Sequence, residues 1–178
     1  MSYTPTAYTT ATAVKRILRI QAKNFKIGDD PNDHLSPADL TEYILDASRL
    51  IDGALLKVIT SGYVPLTDTY AEISYAAPRL TAFLIYRDMY SGYRVENMPM
   101  GPRGWYEDFK DQIKLFVENI DAGVYPTLSP SVDGPGWFAV EKFFINKFGV
   151  PSVHDQVSVS QNQLTDITSD NMTPYTDQ

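Results

Sequence analysis

The stretch SPADLTEYILDASRLIDGALLKV, residues 36–58, decides the fold class. Ser36 supplies a hydroxyl able to accept a backbone N–H of a first helical turn. Pro37 stands where a missing N–H costs nothing, and Asp39 puts a carboxylate near the positive end of the helix dipole. Leu40, Tyr43, Ile44, Ala47, Ile51, Ala54, Leu55 and Val58 then recur at helical spacing, forming an apolar stripe over about five turns. A stripe of that length cannot stay in water, so this helix needs partners to cover it.

Three further helices are predicted around it. Upstream, Thr9 or Thr10 can cap a short helix through about Ile20, with Ala13, Ile17 and Ile20 on one side. Gly28 ends that region, and Asp29, Asp30, Pro31, Asn32 and Asp33 are turn chemistry. Downstream, Gly62-Tyr63-Val64-Pro65-Leu66 breaks the pattern. A third helix runs from about Tyr70 to Met89 with Ile73, Ala76, Ala77, Leu80 and Leu84 on one face, and Pro78 inside it is expected to kink it. Gly92, Pro99, Gly101, Pro102 and Gly104 read as an exposed connection. Trp105, Phe109, Ile113, Phe116, Val117 and Ile120 then mark a fourth helix that ends at Gly123.

Beyond Tyr125-Pro126 the character changes. Pro126, Pro130, Gly134, Pro135, Gly136 and Pro151 punctuate the chain around one apolar cluster, Trp137 to Val140 and Phe143 to Ile145, which reads as an arm rather than a bundle helix. After Phe148 there is no lysine or arginine, and Ser, Thr, Gln and Asn dominate. Such a composition does not order by itself and is expected to gain order by docking. The expected fold class is therefore mainly α: a four-helix bundle-like domain over residues 1–128 and an extended C-terminal arm over 129–178.

The chain has 178 residues, 43% of them hydrophobic, and no cysteine. That length suffices for one core, and the lack of cysteine leaves no disulfide framework, thiolate metal site or cysteine nucleophile. A reducing cytosol suits such a chain. No run approaches the ~18 apolar residues of a membrane span, and MSYTPTAYTT is not a signal-peptide pattern, so a soluble, non-secreted protein with no membrane partner is expected. Net charge is −7, which argues against sustained grip on nucleic acid. All 22 acidic residues lie beyond Gly28, whereas Lys15, Arg16, Arg19, Lys23 and Lys26 precede it. This basic island reads either as a solvated helix face or as a patch that meets an acidic partner or DNA.

No catalytic or cofactor constellation assembles by spacing. His34 falls in a turn and His154 in the polar tail, so neither a paired-histidine metal motif nor a histidine base beside a nucleophile can be built. Asp29, Asp30, Asn32 and Asp33 lack the glycine and glutamate an EF-hand loop requires. Asp39, Glu42, Asp46 and Asp52 mostly avoid the stripe and read as a solvated face, with Asp46 or Asp52 able to pair with Arg49. Gly101-Pro102-Arg103-Gly104 lacks the length, lysine and hydroxyl of a phosphate loop and reads as a turn. Tyr70, Tyr75, Phe83, Tyr86, Tyr90 and Tyr93 read mainly as core, with a subunit interface as the other use of such residues. No catalytic, cofactor or metal residue is therefore expected.

Four stretches, taken in order, resemble the head-to-tail connector family of tailed phages, the helical portal adaptors. A short first helix is followed by LTEYILDASRLIDGALLKV at 40–58, GYVPL at 62–66, APRLTAFLIYRDMYSG at 77–92 and WYEDFKDQIKLFVENIDAGVYPTL at 105–128; the likeness spans roughly residues 8–128. It implies a structural virion protein at the head–tail interface, assembled in the host cytoplasm. It also implies a homo-oligomeric, dodecameric ring that binds the portal protein and a tail or stopper protein and lets genomic DNA pass without specific binding. No catalytic residues or cofactors come with the family. Members often grip the portal with a C-terminal extension, which makes Trp137, Phe138, Phe143, Phe144, Val150 and Val153 candidate partner-docking residues, and the basic island adds Lys15, Arg16 and Arg19. The competing expectation is a small helical DNA-binding regulator using the basic first helix, which the acidic faces of the second and fourth helices count against.

Overall fold

A computed structural model describes residues 5–21, 27, 28, 30, 35–89, 100–128, 130 and 136–148. Among them are five α-helices: α1 (Ala11–Gln21), α2 (Pro37–Leu55), α3 (Ala71–Met89), α4 (Met100–Asp121) and α5 (Trp137–Phe148). The mainly α class is as expected, and no strand occurs among the described residues.

The helix starts follow the local chemistry. Ser36 Oγ accepts the Asp39 N–H at 3.1 Å, with Pro37 in the first turn, which is the cap its sequence requires. Thr10 Oγ1 likewise accepts the Ala13 N–H at 3.3 Å ahead of α1. At the end of α4, Gly123 takes φ +72°, where an L side chain would be strained. That turn lets the Gly123 N–H reach Ile120 O at 3.0 Å and the Val124 N–H reach Asn119 O at 2.9 Å, satisfying carbonyls the helix leaves open.

α3 is the central helix, packed against α1, α2 and α4. It is therefore buried around most of its girth from Ala76 to Ile85, Arg79 excepted, and not along a single face as its periodicity suggested. It continues through the position of Pro78 as one helical element. The proline deprives Ser74 O of its donor, and Ser74 is exposed, so water can replace it.

Residues 101–104 depart from the expected turn: they lie in the first turns of α4, which begins at Met100. Pro102 is buried there, and its missing N–H is one of those a helix start leaves unpaired in any case.

The largest departure is α5. The apolar cluster expected in an extended arm is helical, and Val140 and Phe144 are fully buried in the main core with α2 and α4. Val140 and Phe144 stand four residues apart, so one helical face delivers both to the core. Phe109 and Phe144 meet edge to face with centroids 4.9 Å apart. Gly53 makes room for this docking, because a Cβ there would stand 3.0 Å from Phe143 Cζ. Residue 128 is thus not the end of the core.

The core has two parts. The main cluster contains Ile51, Leu55, Tyr70, Leu80, Phe83, Tyr106, Phe109, Phe116 and Phe144. A second cluster seats Val14 and Leu18 of α1 against Leu35, Leu40, Ile44, Ala82, Ile85 and Trp105.

Candidate docking surfaces

The expected docking residues divide three ways. On α1, Lys15 is half-buried and Arg16 exposed, and neither forms an ion pair among the described residues. Arg19 lies on the same helix; its side chain, with Lys23 and Lys26, falls outside the described residues. Val14 and Leu18 fix the rotation of α1 by entering the second cluster, so Lys15 and Arg16 are carried toward its outer side.

On α5 the set separates by depth. Phe144 is 0% exposed and Phe138 58%, which leaves Phe138 as the aromatic on this helix free to meet a partner. Trp137 and Phe143 are half-buried against the main cluster. The expectation that Phe144 docks on a partner is accordingly corrected, since its own chain covers it. Val150 and Val153 lie outside the described residues, as do His34, His154, Tyr90, Tyr93 and the docking of the polar tail.

Two grooves lie between the helices. One, of about 450 Å³, runs between α1, α3 and α4 and is lined by Ile17, Arg79, Met100, Gly101, Gly104, Trp105 and Asp108. Its cation is already engaged: Arg79 lies 3.3 Å over the Tyr75 ring, its Nε donates to Asp108 Oδ2 at 3.1 Å, and its Nη1 donates to Tyr75 O at 3.0 Å. The other, of about 410 Å³, is lined by Leu35, Asp39, Glu42, Tyr43, Asp46, Asp88 and Met89. Here the Tyr43 hydroxyl donates to Asp88 Oδ2 at 3.1 Å; burial first, then the Asp88 charge, pushes its pKa up. Asp46 pairs with Arg49, as expected, and Asp39 accepts from Ser36. The arrangement can receive a basic or polar surface and holds no nucleophile–base pair. No cluster of three or more His, Cys, Asp or Glu able to hold a metal occurs among the described residues, and no helix there is long and apolar enough to cross a membrane.

Sequence reading missed two buried carboxylates. Asp52, taken as part of a solvated face, is only 2% exposed and accepts the Tyr8 hydroxyl proton. The signal was its spacing, since Ile44, Ser48, Asp52 and Leu55 share the edge of the stripe. Glu72 is buried at the start of α3 and accepts from Asn119 Nδ2 at 2.7 Å and from the Tyr125 hydroxyl at 2.7 Å. Burial, then this bond to Glu72, raises the Tyr125 pKa. The contact ties the start of α3 to the end of α4, and nothing local in the sequence announces it.

What the fold defines is a mainly α domain with candidate interaction surfaces and no assembled reaction centre among its described residues. In comparisons with known proteins, no family model, curated protein or solved structure matches this chain.

Proposed function

We propose that this protein is a structural head-to-tail adaptor of a tailed phage, forming a ring beneath the portal that continues the DNA channel toward a tail or stopper protein. The observation that supports this reading is one of register. The four stretches that resemble the connector family coincide with α2, the turn after it, α3, and α4 with its capped end at Gly123, all packed on one core. The role needs positioned surfaces rather than a reactive group. The acidic balance suits a conduit, because a basic wall repeated around a ring would hold DNA through counterion release.

In this reading Lys15, Arg16 and Arg19 face acidic surfaces of neighbouring subunits or portal, and Phe138 marks the exposed side of α5. Electron microscopy of the purified protein, alone and mixed with portal, is the test. Rings seated coaxially on portal are expected, and their reversal to glutamate at the three cations is expected to impair assembly more than DNA passage. Protein that stays monomeric with portal and instead retains duplex DNA in a salt-dependent manner would replace this reading with that of a DNA-binding regulator.

A further inference from the structure

Tyr8 stands three residues before α1, and its polar contacts reach two distant parts of the chain. Its N–H donates to Ser48 Oγ at 3.2 Å. Its hydroxyl donates to buried Asp52 and accepts the Leu66 N–H at 2.8 Å. A phenol has one proton and two lone pairs, so a single hydroxyl can serve both partners. Ser48 is in turn held by its own helix, with Oγ donating to Ile44 O at 2.9 Å.

The placement matters more than the number of bonds. The Tyr8 ring packs against the main cluster, whereas the helix it precedes packs on the second cluster. Leu66 is buried at the end of the segment that follows the short 3-10 turn Ser61–Tyr63, in which Gly62 and Tyr63 are exposed. One side chain therefore bridges the root of the cationic helix, the last turns of α2 and an exposed loop.

We infer that Tyr8 is a relay: it couples the seating of α1 to the conformation of residues 61–66, so that a partner gripping either surface changes the other. Coupling of this kind is reciprocal, because each contact Tyr8 makes lowers the freedom of both segments at once. A hydrogen bond to a charged group is worth enough to change a local opening equilibrium by about ten- to a hundredfold. The inference concerns the free chain and does not depend on the adaptor reading.

Amide hydrogen exchange on the full chain tests it, comparing wild type with Tyr8→Phe and Asp52→Asn and using Tyr125→Phe as a hydroxyl deletion elsewhere. Tyr8→Phe is expected to speed exchange of the Leu66 amide by at least about tenfold and to speed the Val14 and Leu18 amides in the same direction, with the centres of α3 and α4 unchanged. Asp52→Asn should give the same pattern, and Tyr125→Phe should leave those three amides alone. Acceleration confined to Leu66 would overturn the relay and leave a local bond. Equal acceleration in every helix, or none anywhere, would overturn it too.

Discussion

The two hydrophobic clusters are built from different materials. The main one sets pairs of rings among its aliphatic residues, with Tyr70 and Phe116 at 5.0 Å, Phe83 and Tyr106 at 4.9 Å, and Phe109 and Phe144 at 4.9 Å between ring centroids. It is closed by residues from α2, α3, α4 and α5. The buried members of the second are aliphatic apart from Trp105, and its outer wall is α1, a helix of 11 residues. A helix that short is marginal in water, so α1 holds its shape only while Val14 and Leu18 stay seated. The comparison teaches that the cationic face expected to meet a partner rides on the least self-sufficient helix, while the acidic α2 and α4 rest on the most heavily braced part of the molecule.

The strongest way to break the contrast is a charge in the main cluster. Leu55→Asp is expected to abolish the cooperative melt, because Leu55 is fully buried and an unpaired buried charge costs several kcal/mol, roughly the whole stability of a domain. A soluble, helical mutant seen by circular dichroism would contradict the burial of the α2 stripe.

Next comes the place of α5. Phe144→Ala should cost about 3–5 kcal/mol in denaturant unfolding, as for other buried phenylalanines. Removing residues 149–178 should leave the cooperative transition in place. If the truncation abolishes that transition while Phe144→Ala is neutral, the core lies elsewhere than α5.

Leu18→Ala probes the second cluster and is expected to cost about 2–3 kcal/mol. Its signature should be local. Hydrogen exchange should rise first in α1 while the amides of α3 and α4 keep their protection, whereas a uniform rise would mean the two clusters melt as one.

The smallest effect is a matter of pH. Burial of Tyr106, then the charges of Glu107 and Glu141, raises its pKa above the ordinary tyrosine value. A raised folded pKa gives a contribution fully present below the unfolded value, about 10, and lost as pH climbs beyond it, since the unfolded chain ionises first. Stability should therefore fall above about pH 10, and Tyr106→Phe should flatten that alkaline fall while changing little at neutral pH. Unfolding curves between neutral and strongly alkaline pH provide the measurement.

The four helices α1 to α4 and the caps at Thr10, Ser36 and Gly123 were legible in the sequence because each depends on residues within a turn or two of itself: a hydroxyl before a helix, a glycine after one, apolar positions at steps of three and four. That no thiolate centre or disulfide can form follows from composition alone, since the chain has no cysteine to position. Tertiary structure decided the rest. Trp137 to Phe148 read as an arm because an apolar cluster among prolines says that something must cover it without saying what, and only the room left by Gly53 beside α2 shows that its own chain does. Asp52 read as solvent-facing because a carboxylate ordinarily is, and Glu72 drew no reading at all. Their burial rests on Tyr8, Asn119 and Tyr125, partners more than forty residues away that no local pattern can reveal.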